Sequence, residues 1–331
     1  MPRNGQGQYS KPPNTTAQSN TQIKSAVFNS VVDDLVVDAN TARPVTAGGT
    51  GGVTVADAQA NLSVVGYNDQ PLTASQQAQA RDNISAPLSG HLFGLTLSNN
   101  VTDPTNDIDI AAGSAASTEI DPVLMVLASA MTKRLDAAWA VGSGNGGLDA
   151  GSIANATYHL WLIQRSDTGV VDVLFSTSAT SPTMPTNYDR KRRVGSVVRL
   201  GGTILAFRQN GNRFMLGTVQ PIYTGVGNVT NAQLATFGPF GVRFRPILQL
   251  ALASNANSLA AVQMGDGDLS SISSNVQTIG GTSSANNTAI IDEFYTDTSG
   301  RIRHSVIISA GSLSSYSVFS IGWLDDRGMA A

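Results

Sequence analysis

"ATYHLWLIQRSDTGVVDVLFSTS", residues 156–178, decides the fold class. Two β-rich runs, 157–164 and 170–175, flank the turn Ser166-Asp167-Thr168-Gly169, a pattern that predicts a β-hairpin. Working outward, "RRVGSVVRLGGTILAFRQNGNRFML" (192–216) adds turns at Gly201-Gly202 and at Asn210-Gly211, the latter suited to type I′. "PVLMVLASAMTKRLDAAWAV" (122–141) fits helix or strand by periodicity and stays open. Further on, "VRFRPILQLALAS" (242–254), "AIIDEFYTDTSGRIRHSVIIS" (289–309, turning at 297–300) and "SYSVFSIGW" (315–323) carry strand patterns. Short strands without βαβ alternation predict a mainly β chain with tandem antiparallel sandwich-like domains, 90–218 and 219–331.

Composition narrows the function classes. Of 331 residues only 13% are charged, and the net charge is −3. Nucleic acid and anionic membranes call for clustered positive charge. The one basic run is Lys191-Arg192-Arg193, so neither partner is expected. Cysteine is absent, which excludes disulfides and thiolate metal sites. The polar start "MPRNGQGQYSKPPNTT" predicts no secretory signal peptide, and no apolar run reaches the length of a membrane span.

The N-terminal region reads differently. Residues 1–22 lack the apolar side chains to form a core. Ile23, Val27, Val31 and Leu35, with Phe28 and Val32 beside them, predict an amphipathic helix over 21–38 within a segment 1–50. After "TAGGTGG" (46–52) come "TVADAQANLSV" (54–64) and "TASQQAQARDNIS" (73–85), two versions of one phrase. Thr54 with Asp57, and Thr73 with Gln76, have capping-box spacing, so each version predicts a short helix. Ala58 and Leu62, like Ala80 and Ile84, leave each helix a narrow stripe. Helices this short are marginal alone, so 51–89 reads as a stalk with two collars that self-association would stabilise.

With these residues in view, "MPRNGQGQYSKP", the repeats, and "NATYHLWLIQRSDTGVVDVLFSTSATSPTMPTNYDRKRRVGSVVR" (155–199) resemble segments of phage tail fibre and tail-associated proteins. The resemblance spans roughly residues 1–218. It implies a homotrimeric virion fibre, made in the host cytoplasm, whose N-terminus docks on a virion protein. Its C-terminal β domains would attach to a bacterial surface glycan or outer-membrane receptor. The alternatives are a purely structural head, collar or baseplate fibre and a polysaccharide depolymerase.

Enzyme signatures are sparse, and no catalytic residue, cofactor or metal is expected. Gly142, Gly144 and Gly147 match a dinucleotide pattern with Asp167 twenty residues on, but no helix follows to hold a pyrophosphate. Asp292 and Glu293, adjacent in a predicted strand, point to opposite faces. Asp266 with Asp268 stays open as a carboxylate pair. His91, His159 and His304 lack ligand-like spacing, and any Ser-His-Asp triad is a free choice. For binding, Tyr188 and Tyr316 lie near loop-like sequence. Arg243 with Arg245, and Arg301 with Arg303, share strand faces, where they meet anionic groups or keep a β edge soluble. The Ser/Asn/Gly-rich stretch 273–288 is expected to present polar loops at the tip, although no receptor-binding residue is assigned.

Overall fold

The computed structural model describes residues 24–41, 49–52, 54–62, 89–119 and 122–327, with 12–16, 19, 20, 22 and 80 besides. The chain divides into two compact units, 1–84 and 85–331.

In the first unit, α1 (Ser25–Asn40) begins four residues later than expected, because Lys24 takes the N-cap position in extended conformation and offers no acceptor. The helix ends at Asn40, two residues beyond the expected 38. The side chains of Asn40 and Thr41 donate to the Val36 and Val37 carbonyls, which satisfies acceptors the helix leaves open. Phe28, Val32, Leu35 and Val36 are exposed along one side, Phe28 by 60%. At α2 (Val55–Leu62) half of the capping box forms: the Asp57 amide donates to Thr54 Oγ1 at 3.1 Å. The short Asp57 carboxylate accepts the Thr54 hydroxyl at 2.7 Å, where a longer side chain would reach the backbone. The second collar, 73–85, lies outside the described residues except Ala80.

The second unit is mainly β. It opens with β1 (Leu92–Gly94), β2 (Leu97–Asn99), β3 (Asp107–Ile110) and β4 (Gly113–Ala116). The open segment resolves as strands β5 (Leu124–Leu127) and β6 (Met131–Ala138), followed by β7 (Gly146–Leu148). The hairpin is β8 (Thr157–Gln164) with β9 (Val171–Ser176), in register from Gln164↔Val171 to His159↔Ser176. Next come β10 (Arg190–Leu200), β11 (Thr203–Ile204), β12 (Phe207–Asn210) and β13 (Arg213–Gly225). Both Gly201 and Gly202 have positive φ, as a type I′ turn requires, and only glycine adopts this freely. At the next turn Asn210 pairs with Arg213, so the central residues are Gly211 and Asn212. Of these only Gly211 has positive φ, which fits type II′ rather than I′.

The chain ends through β14 (Val229–Ala235), β15 (Arg245–Ser254), β16 (Ser258–Gly265), β17 (Asn275–Gly281), β18 (Ala285–Ile291), β19 (Arg301–Ala310) and β20 (Leu313–Leu324). The described strands form four sheets, ordered β1-β4-β5, β11-β10-β8-β9-β7-β6-β3-β2, β12-β13-β20-β15-β18 and β14-β19-β16-β17. β7 runs parallel to β6 and to β9, so the eight-stranded sheet is mixed where antiparallel pairing was expected.

All eight residues of β8 are buried, which explains an almost continuous apolar run. Tyr158, Leu160 and Leu162 enter the main core with Phe175. Trp161 and Ile163 face the other way, onto Leu174 and Tyr188. The main core also takes in Phe214, Phe244 and Trp323, and Phe214 stacks on Trp323 at 5.4 Å with 7° between the rings. The expected boundary at 218/219 thus falls inside β13, a strand whose partner β20 lies at the far end of the chain. A second core lies between the last two sheets, with Leu248, Leu250 and Val318 on one side and Val262, Ile302 and Val306 on the other. At about 1.5–3 kcal/mol per fully buried aliphatic side chain, such faces supply the stability that short strands lack.

Candidate functional site

β15 runs away from Arg245, β16 returns to Gly265, and β18 ends at Ile291. The loop 266–274 and the segment 292–297 therefore meet at the Arg245 end of this sandwich. The Gly267 amide donates to the Tyr295 carbonyl at 2.9 Å, and the Tyr295 amide donates to Asp266 Oδ1 at 2.8 Å. A Cβ on Gly267 would stand 2.0 Å from the Arg301 carbonyl oxygen, so only glycine permits this approach.

The frame presents one aromatic ring and four charges. Tyr295 is 43% exposed. The Arg243 guanidinium lies 5.5 Å from its ring centre and that of Arg245 lies 6.0 Å away, within cation–π range. Arg243 also reaches Asp266 at 3.4 Å and Asp268 at 3.1 Å. The Arg243/Arg245 pair and the Asp266/Asp268 pair thus belong to one surface. Tyr295 was missed, because "IIDEFYTDTSG" reads as a strand running into a turn. The chain leaves β18 at Ile291, so Asp292 and Glu293 stand outside the strand in which they were expected. The fragment "DEFY" between strand and turn was the available signal.

The other candidates do not make a site. Tyr188 is buried and packs edge-on against Trp139 at 5.2 Å, and Tyr316 is buried inside the second core, so neither ring is offered to a ligand. Arg301 is held by Asp297 at 2.9 Å, and Arg303 donates to the Asn231 carbonyl. Their strand β19 is flanked by β14 and β16, and β15, which carries Arg245, by β20 and β18, so these three do not guard sheet edges; Arg243 precedes β15 and does not share a strand face with Arg245 as expected. Residues 273–288 are mostly strand: β17 and β18 belong to different sheets, and 282–284 bridge them at the end opposite Tyr295.

The glycine-rich loop 142–147 spends its polar groups on its own fold. Gly142 N–H donates to Asp172 at 2.6 Å, Gly144 N–H to the Thr132 carbonyl, and Asn145 Nδ2 to the Val141 carbonyl. Strand β7 begins within it at Gly146, so no helix N-terminus waits for a phosphate. Asp172 is buried with Lys133 at 2.7 Å. Burial pulls the Lys133 pKa down, and the Asp172 carboxylate partly offsets this. Asp167, once paired with the dinucleotide pattern, bonds Arg165 in the β8–β9 turn, which holds its pKa down at about 2.

His91 bonds Ser114 at 3.0 Å, His159 bonds Ser196 at 2.8 Å, and His304 packs against Tyr223 with ring centres 4.9 Å apart. Among the described residues no group of three metal-ligating side chains gathers. The Ser196–His159 pair is fully buried, and the nearby Asp325 is bonded to Arg193 instead of the imidazole. No helix among the described residues is long and apolar enough to cross a membrane. A separate groove of about 410 Å³, lined by Asn99, Thr203, Leu205 and Gln220, carries no charged side chain.

No protein-family model matches the chain, and no curated protein sequence does either. Faint backbone likeness to solved structures includes the following two. One is the T=1 particle derived from infectious bursal virus, at 13% identity over 75% of this chain and 74% of that one, with a TM-score of 0.22. The other belongs to carbohydrate-binding modules of the β-sandwich superfamily, at 10% identity over 70% of this chain and 98% of that one, with a TM-score of 0.14. Scores this low bear on neither fold nor function.

Proposed function

We propose that the chain is a phage fibre protein, docked on the virion through residues 1–50 and attaching the particle to a bacterial envelope glycan through its C-terminal β region. The observation that carries the adhesive role is the exposed Tyr295 ring, framed by Arg243, Arg245, Asp266 and Asp268. A sugar can lay its apolar ring face on such an aromatic while guanidinium and carboxylate groups bond its hydroxyls. The side chains already hold one another, so little conformational freedom is lost on binding. The exposed stripe of α1 supports association of three copies, and three sites raise the avidity of a weak contact.

The test is binding of the full-length protein to purified lipopolysaccharides and capsular polysaccharides. Tyr295→Ala and Arg245→Ala are each expected to weaken binding about tenfold, near 1.4 kcal/mol, at an unchanged melting temperature. Undiminished binding by both variants would exclude this surface. Binding to no envelope preparation would favour a purely structural fibre, and release of oligosaccharides a depolymerase.

A further inference from the structure

Where β10 meets the residues after β20, the protein encloses more positive charge than it pairs. Arg192, Arg193 and Arg327 are 5%, 7% and 5% exposed. Arg193 takes both oxygens of Asp325, at 2.6 and 2.7 Å, and the Arg327 amide also donates to Asp325 at 2.9 Å. The carboxylate is thereby committed. Among the described residues, Nε and Nη2 of Arg192, and Nε and Nη1 of Arg327, are enclosed without an acceptor. Asp326 attracts both Arg192 and Arg193, so among the described residues three guanidinium groups stand against two carboxylates. The neighbouring His159 bonds Ser196 and supplies no negative charge.

Guanidinium groups stay protonated in proteins, so this excess cannot be relieved by titration. A buried charge without a partner costs several kcal/mol, and water alone would supply acceptors without a counter-charge. Burial and mutual repulsion both act against the Arg192 and Arg327 charges. Four enclosed N–H-bearing nitrogens on two planar guanidinium groups suit an oxyanion with several acceptor oxygens. Burial this deep excludes a polymer from these two guanidinium groups.

We propose that Arg192 and Arg327 form a buried site for a small tetrahedral oxyanion, phosphate or sulfate, which joins β10 to the C-terminal end of the chain. Because the ion binds the folded form, it raises stability by mass action. It rests on residues other than those around Tyr295 and does not depend on the adhesive role.

Full-length protein dialysed into chloride is titrated calorimetrically with inorganic phosphate and with sulfate, and its melting temperature is read in each salt at equal ionic strength. Saturable binding of one ion per chain and a higher melting temperature than in chloride are expected. Arg192→Met and Arg327→Met should each weaken binding at least tenfold, while Arg165→Met, at the exposed Asp167 pair, binds as before. If the buried variants fail to fold, the unmodified protein decides alone. Absence of heat and of any melting shift in phosphate and sulfate overturns the site, as does unchanged binding by folded Arg192→Met and Arg327→Met proteins.

Discussion

Arg193 and Asp325, 132 residues apart, close a two-point ion pair that is almost entirely buried. Burial opposes both charges, but their mutual attraction and paired hydrogen bonds outweigh it, holding the Arg193 pKa up and the Asp325 pKa down. Removing one partner strands the other. Asp325→Ala should therefore cost about 3–5 kcal/mol in urea unfolding, whereas Arg193→Met/Asp325→Leu together should cost clearly less than the sum of the single changes. Additive losses would show that the pair is not coupled.

His159 gives the fold an acid-sensitive element. Burial first, and then the Arg193 charge, lower its pKa to about 4 from an ordinary value of 6.5. The unfolded chain therefore binds the proton first. Stability is unaffected above pH 6.5, falls as pH drops toward 4, and loses up to about 3 kcal/mol across that window. His304, also lowered by burial, adds to the slope. His159→Asn, which keeps a hydrogen-bonding group near Ser196, should flatten the stability curve between pH 6.5 and 4. An identical slope in the variant would remove His159 as the cause.

Gly267 tests the frame beneath Tyr295. An alanine there must displace the Arg301 carbonyl or the Asp297 amide, the latter 2.5 Å from the added Cβ. Gly267→Ala is expected to cost roughly 1–3 kcal/mol by overpacking and to weaken glycan binding through the shifted Asp266 and Asp268. A melting temperature equal to that of the parent would show that the loop yields freely.

The stripe on α1 predicts the assembly. Phe28→Asp with Leu35→Asp places charge on the exposed apolar side without touching the β cores. Light scattering should then report a mass near one chain, against three chains for the parent protein. A trimeric variant would locate the association elsewhere.

Much of the β architecture was legible because its signals are local. The turn at 166–169 and the apolar run of β8 specify one hairpin without help from distant residues. The capping residues Thr54 and Asp57 likewise announce α2. What stayed hidden depends on long-range pairing. Nothing near "PVLMVLASAMTKRLDAAWAV" tells strand from helix, since β6 is settled by β3 and by the parallel β7. The surface around Tyr295 needed 243–245, 266–268 and 295 brought to one end of a sandwich, and no spacing encodes that. Tyr188 and Tyr316 looked accessible beside polar residues because burial, too, is decided by what arrives from afar.

The stack of Trp323 on Phe214 sets a schedule for synthesis. The core that begins at Leu95 is completed by Trp323, more than two hundred residues later. A ribosome adding about 5–20 residues per second takes roughly 5–20 s to travel from Phe214 to Trp323, and somewhat longer to release it. During that interval Phe214 and the apolar face around it have no lid. Nascent chains on one message meet in that open state, so crowding on the polysome is when this protein is most exposed to sticking to its neighbours. A stop ahead of Trp323, removing it and Asp325, would leave the strands around Phe214 as unfinished as the last.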